Sequence, residues 1–356
     1  MTGVRVTAAQ VRAERARVQA WLDAEQPVGP WPTRERERIG IEGKAVLRFY
    51  PGSNGAAGRP LLLVYSLVNR PDVLDLAPGH SFIEALQRRG HPVYLMDWGR
   101  PDASDAGVSM ADYVNGYLIK ALQQVRQRHA RRTVDVVGIC QGGVLALCLA
   151  SLAPRAIHRL ATLVTPVDFH TPGDLLAGLA RSVAPEDLVA EDGNLPGHVL
   201  GGLFALLRPL RAATATRTAV AELSSRRRRE RLLRLLDWQA DYPDQAGRAW
   251  REFVTTCYRD NQLRTGTLQL DGHVVDLRRL GCPVLNVYAR ADHMVPVAAA
   301  RALGQMVEPH RYHELAVDGG HVGVFAGRRG LQAVSAAVSD FFLARNQKSP
   351  ADARLS

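Results

Sequence analysis

Several features that would have pointed elsewhere are missing. No apolar stretch reaches the roughly 18 to 20 residues that a membrane-crossing helix needs. The longest candidate, 134–153, is broken by Asp135, Gln141 and a glycine pair, so no membrane span is expected. The opening Met-Thr-Gly-Val-Arg-Val runs into polar, Arg-containing sequence with no continuous apolar segment and no small-residue cleavage site. We therefore expect no secretory signal and a cytoplasmic location. Cysteine is scarce: Cys140, Cys148, Cys257 and Cys282 show no C-x-x-C spacing and have no histidines at metal-ligand intervals. Free thiols, no metal and no cofactor are the expectation. Zinc-finger spacing, RNP-type aromatic strands and basic heptads are also absent, which argues against a nucleic-acid partner. The net charge of +10 and pI near 9.9 still favour an anionic partner of some kind. The excess is nearly all arginine. Its densest run, Arg226-Arg227-Arg228-Arg229, continues into Glu230-Arg231-Leu232-Leu233-Arg234-Leu235-Leu236, the pattern of a helix with a solvated basic face.

What is present is an alternation of short apolar runs with helical periodicity. Strands are expected at 45–50, 61–66, 92–96, 134–139, 160–164, 284–288 and 311–317, and helices at 81–89, 110–129 and 144–150. A Gly-rich hairpin loop is expected at 51–60. Continuous apolar strands separated by helices are the signature of a mostly parallel sheet covered on both faces, an α/β fold. Residues 1–30 read as an N-terminal amphipathic helix and turn-rich linker, and 347–356 as a polar tail. The core is expected to comprise 31–164 and 281–346. Residues 165–280 interrupt the alternation with helical, Arg-rich sequence punctuated by Pro and Gly. An insertion there would sit over the C-terminal ends of the strands as a cap.

The chemistry centres on Gly138-Ile139-Cys140-Gln141-Gly142, followed by Gly143. Between an apolar strand and an apolar helix this reads as a nucleophile elbow, with a thiol where a serine hydrolase carries a hydroxyl. Only small residues fit two positions either side of such a strained turn. The helix N-terminus would favour a thiolate and stabilise an oxyanion. A plain glycine turn beside a buried cysteine is the competing explanation. A thiol nucleophile needs a base and a group to orient it, in the chain order nucleophile, acid, histidine. Asp292 follows the strand 284–288 and His321 follows the strand 311–317. Asp168, after the strand 160–164, is an alternative acid. His293 adjoins Asp292, and sequence neighbours point apart. Cys148, two helical turns beyond Cys140, reads as core. The oxyanion hole is expected from the backbone N–H of Gln141 and one from the loop after the second strand, at Leu67 or Val68.

These residues resemble the polyhydroxyalkanoate synthases, and among them the short catalytic subunits of class III, from about residue 40 to 345. The elbow is similar to that family's cysteine lipase-like box. Also matching are Leu67-Val68-Asn69-Arg70-Pro71 with Leu74-Asp75-Leu76, Asp97-Trp98-Gly99 with Pro101-Asp102, Asp112-Tyr113, Thr165-Pro166-Val167-Asp168-Phe169, Tyr242-Pro243-Asp244-Gln245-Ala246-Gly247, Asp292-His293-Met294-Val295-Pro296 and Gly320-His321-Val322-Gly323. Asp72-Val73 depart from the pattern where an aromatic is expected. The resemblance implies an α/β-hydrolase fold, with Cys140 as acyl-bearing nucleophile and His321 as its activator. Asp292 would be either the orienter of His321 or the base for the incoming hydroxyl. It further implies (R)-3-hydroxyacyl-CoA, short-chain, as substrate and a growing polyester chain as product. A small second subunit of the PhaE type, rather than the class IV PhaR type, a homodimer or larger assembly, and association with the polymer granule complete the expectation. A cysteine hydrolase or thioesterase on the same triad, releasing free acid, is the alternative.

Overall fold

The computed structural model describes residues 35–53, 58–206 and 226–344. The expected N-terminal helix and the polar tail lie outside the described residues. The centre is an eight-stranded sheet: β1 (Glu37–Glu42), β2 (Ala45–Tyr50), β3 (Leu61–Val64), β4 (Val93–Asp97), β5 (Val134–Ile139), β6 (Ile157–Leu163), β7 (Val284–Ala289) and β8 (Tyr312–Val317). Their order is β1-β2-β4-β3-β5-β6-β7-β8. Only the β1–β2 and β2–β4 pairings are antiparallel. The others are parallel. Strands β3, β4, β5 and β7 are buried along their whole length. That explains why they read as continuous apolar runs, since a parallel sheet is covered on both faces.

Two local expectations are corrected. The segment 51–60 does not join paired strands: β2 pairs with β1 and β4, not with β3. The hairpin instead turns at Gly43-Lys44, with Gly43 at φ +52°, a backbone that favours glycine in a two-residue turn. Strand β1, Glu-Arg-Ile-Gly-Ile-Glu, was missed because this edge strand is charged and largely exposed, as sheet edges are. The 110–129 helix is present, but its first part, Asp112–Leu118, is π-wound before α2 (Ile119–Arg128). The helix α1 spans Phe82–Arg88, capped by the Ser81 hydroxyl, which accepts from Glu84 N–H.

Between β6 and β7 the described chain forms α4 (Leu175–Ser182), α5 (Gly197–Leu206), α6 (Arg226–Ala240) and α7 (Gly247–Phe253), with shorter turns. Two further helices cover the sheet: α3 (Gln141–Leu152) and α8 (Arg328–Leu343). The helix α3 is buried from Gly142 to Ala150.

The departure at Asp72 has a physical replacement for the missing aromatic. Arg48 on β2 is 6% exposed and donates through Nη1 to Asp72 (2.7 Å) and through Nε to Asp97 (2.8 Å). Arg70 Nε adds a second bond to Asp72 at 2.9 Å. Burial alone would raise the Asp72 carboxyl, but the two guanidiniums hold it below the usual carboxylate range. The loop after β3 is thereby tied to β2 and β4. Arg48→Met should leave two buried carboxylates short of their partner and destabilise the fold by about 3–5 kcal/mol in denaturant unfolding. A loss under 1 kcal/mol would show that the network is not a structural tie.

Candidate active site

Cys140 occupies the turn between β5 and α3 with φ +55° and ψ −126°, a conformation that a side-chain-bearing residue rarely adopts. Its neighbours show why the turn persists. A Cβ on Gly138 would stand 2.5 Å from Gly143 Cα, one on Gly142 would strike the backbone of Val64 and Tyr65, and one on Gly143 would strike Thr165. The elbow is therefore clamped between β3 and the end of β6, and Cys140 N–H donates to Leu163 O at 2.9 Å. Gln141 opens α3, so its backbone N–H is one of the donors a helix cannot satisfy internally.

Cys140 is the partly exposed thiol among the described cysteines; the other three are buried. Burial pushes Cys282 up to about 11, Cys257 to about 12 and Cys148 further still, so these thiols stay protonated and unreactive. The expected base and acid do come together. His321 Nδ1 and Asp292 Oδ2 are 2.8 Å apart, with the Asp292 side chain 1% and the His321 side chain 10% exposed. The other Asp292 oxygen accepts from Met294 N–H (2.8 Å) and Val295 N–H (3.0 Å). Three donors thus fix the carboxylate. They offset the cost of its burial and hold it below its ordinary pKa.

Burial disfavours a charged His321. The nearby Cys140 sulfur and the Asp292 carboxylate hydrogen-bonded to the imidazole outweigh it, and its pKa rises to about 10. Asp168 is elsewhere: Asn261 Nδ2 (2.9 Å) and His170 N–H (2.9 Å) donate to it, so the alternative acid is engaged away from His321.

The expected loop donors of the oxyanion hole are already spent. Leu67 N–H donates to the Gln141 side-chain oxygen at 3.1 Å, and Val68 N–H to Ser66 Oγ at 3.1 Å. The loop that carries them is braced from three directions. Trp98 Nε1 donates to Tyr65 O (3.0 Å), Trp238 Nε1 to Arg70 O (2.7 Å) and Gln245 Nε2 to Leu67 O (2.6 Å). The part played by Trp238 and Gln245 was not foreseen. Gln245 stands in a matched motif and Trp238 is the aromatic in the Arg-rich helix α6, but which backbone oxygens they reach depends on the fold.

Around Cys140 and His321 lies an apolar cavity of about 110 Å³, walled by Leu176, Leu179, Phe204, Trp250, Tyr258 and Met294 among others. Asp174 reaches it too. Its carboxyl is raised by burial, although it caps α4 by accepting from Ala177 N–H at 2.8 Å. On the other side of His321 a cleft of about 900 Å³ runs between α6 and the start of α8. It is lined by Arg227, Arg228, Arg231, Arg328 and His80. Among the described residues, no group of His, Cys, Asp and Glu could hold a metal ion, and no helix is long and apolar enough to cross a membrane.

The His321 shift can be measured. Because its folded-state pKa lies above the ordinary histidine value of about 6.5, the pairing stabilises the fold fully below that value and loses its contribution as pH rises toward 10. An NMR titration of the ring should show the proton retained well above pH 8, and Cys140→Ala should lower the titration midpoint. A wild-type midpoint near 6.5 would contradict the arrangement.

Likeness to known proteins bears on the fold and on the family. Residues 60–327 match the family model for the alpha/beta hydrolase fold. Among solved structures, the enol-lactonase from Burkholderia xenovorans LB400 gives a TM-score of 0.55 at 15% identity, over 86% of this chain and 100% of that one. A meta-cleavage product hydrolase from Pseudomonas fluorescens IP01 gives 0.51 at 17%, over 86% and 97%. At such identities these likenesses establish the fold alone. The sequence relatives are more specific. The poly(3-hydroxyalkanoate) polymerase subunit PhaC of Thiocystis violacea is 37% identical over 314 residues, 87% of this chain and 88% of its own. Its namesake in Allochromatium vinosum is 37% identical over 307 residues, 85% and 86%. That of Synechocystis is 36% identical over 299 residues, 82% and 79%. With identity of this level along most of both chains, on an α/β-hydrolase scaffold, the protein belongs to the poly(3-hydroxyalkanoate) polymerase subunits, which are acyltransferases.

Proposed function

We propose that this polymerase builds its polyester from short-chain (R)-3-hydroxyacyl-CoA, such as 3-hydroxybutyryl-CoA, through an acyl thioester on Cys140. The observation that carries this reading is the partly exposed Cys140 thiol on its strained turn, backed by His321 and Asp292 and opening on an apolar cavity. In the first half-reaction the Cys140 thiolate attacks the thioester carbonyl. A carbon–sulfur bond forms and the carbonyl electron pair moves to oxygen. Collapse returns that pair to re-form the carbonyl and breaks the bond to CoA, whose sulfur leaves with the electrons of the carbon–sulfur bond and takes the proton held by His321. In the second, His321 or Asp292 accepts the proton of an incoming 3-hydroxyl as its oxygen attacks the Cys140 acyl group. The ester bond forms and the Cys140 thiolate returns.

A cysteine suits this sequence energetically. Exchange of one thioester for another is nearly isoenergetic, so the bound acyl group stays activated for attack by a hydroxyl. A serine ester would be a less reactive donor. The apolar lining favours an aliphatic acyl group, and the arginine-lined cleft beside His321 suits the phosphates of CoA. The helices between β6 and β7 act in this proposal as a cap that moves to admit CoA and release polymer, assisted by a small second subunit of the PhaE type. A homodimer or larger assembly at the granule surface completes the proposal.

Cys140→Ser should lose several orders of magnitude in polymer formation while folding normally, whereas Cys148→Ser should keep most of it. CoA release and polymer yield from 3-hydroxybutyryl-CoA decide between these outcomes. Near-wild-type polymer from Cys140→Ser would end the proposal, and free 3-hydroxybutyrate as the sole product of the wild type would favour a hydrolase. For the cleft, Arg227→Glu should raise KM for the acyl-CoA more than it lowers kcat, with the effect shrinking as salt screens the charge. An unchanged KM at low ionic strength would remove CoA from that cleft.

A further inference from the structure

Attack on a thioester places charge on the carbonyl oxygen, and two donors aimed at that oxygen are the usual provision. Gln141 N–H, at the start of α3, is one. The loop after β3 would ordinarily supply the second through its backbone, but here Leu67 N–H is bound to the Gln141 side chain and Val68 N–H to Ser66. Ser66 Oγ also lies 3.4 Å from the same Gln141 oxygen, so these groups form one closed set. The next residue of the loop differs. Asn69 lines the cavity together with Cys140, Gln141 and His321. Its Nδ2 is sealed from solvent and has no acceptor among the described residues. A buried amide donor without a partner is costly to keep in a folded chain, and such groups are characteristic of sites that await a ligand.

The rest of the loop is arranged to hold Asn69 in place. The carbonyl before it in the bracing scheme, Leu67 O, is bound by Gln245, and the one after it, Arg70 O, by Trp238. Asp72 is fixed by Arg48. The loop is therefore tied on both sides of the side chain whose buried donor is unused.

We propose that the Asn69 side-chain amide is the second oxyanion donor, meeting the thioester carbonyl oxygen in place of a loop backbone N–H. This rests on Cys140 being the acyl-bearing nucleophile. As the thiolate attacks and the electron pair moves to oxygen, Asn69 Nδ2–H and Gln141 N–H donate to it; on collapse the pair returns and the bond to CoA breaks. Asn69 gives up no proton.

The test compares wild type, Asn69→Ala and Asn69→Leu in single-turnover release of CoA from 3-hydroxybutyryl-CoA, alongside thermal unfolding. The proposal predicts a fall in the first-turnover rate of about a hundredfold or more in both variants, the loss expected of one oxyanion donor. It also predicts an unchanged or raised unfolding midpoint, because an unpaired buried donor has been removed. Rates within about threefold of wild type in either folded variant would overturn it. So would lowered midpoints in both variants that parallel the rate loss, since these would mark Asn69 as structural. If the wild type itself releases no CoA from this substrate, it is the proposed function that fails, and the two failures are thereby told apart.

Discussion

The site depends on one strained turn. Cys140 stands at positive φ, and it can do so only because three glycines let α3 press against the backbone of β3 and against Thr165 at the end of β6. Remove that approach and the thiol no longer sits at a helix N-terminus beside the loop after β3. The same closeness lets the Gln141 side chain reach Leu67 N–H. Cys140, the N-terminus of α3 and the loop after β3 are therefore a single packed unit rather than three separately placed parts.

Around that unit the protein spends hydrogen bonds on rigidity. The Asp292 carboxylate accepts from two backbone amides as well as pairing with His321, so the imidazole is oriented by a group that cannot rotate away. The loop after β3 is held by Arg48, Trp98, Trp238 and Gln245, drawn from β2, the end of β4, α6 and the segment before α7. Two of those braces come from the region between β6 and β7, so that region and the loop after β3 share bonds. A movement of one is felt by the other.

Much of this was legible in the residues. Strands β2 and β5 stand where their apolar patterns put them, and the chain order of Cys140, Asp292 and His321 pointed to the pairing of Asp292 with His321 and to the cavity that His321 shares with Cys140. What was not legible has physical reasons. Edge strand β1 carries Glu37, Arg38 and Glu42 and lacks the apolar signal of a buried strand. The hairpin turn was hidden in Gly43-Lys44, while the more conspicuous glycines of 51–60 led to the wrong pairing. The loop donors at Leu67 and Val68 followed from the fold's usual pattern, yet whether a backbone N–H is free depends on where the Gln141 and Ser66 side chains turn, which no local sequence rule fixes. Asp72 in place of an aromatic made sense only once Arg48 was seen beside it.

The central claim is that chain growth passes through a covalent acyl group on Cys140. Its most direct test is rapid acid quench of the enzyme during turnover of 3-hydroxybutyryl-CoA, followed by mass spectrometry of the peptide containing Cys140. The account predicts a hydroxybutyryl or oligomeric adduct on Cys140 that hydroxylamine removes, as it does a thioester. Polymer forming while Cys140 stays unmodified throughout, or the adduct residing on another residue, would contradict it.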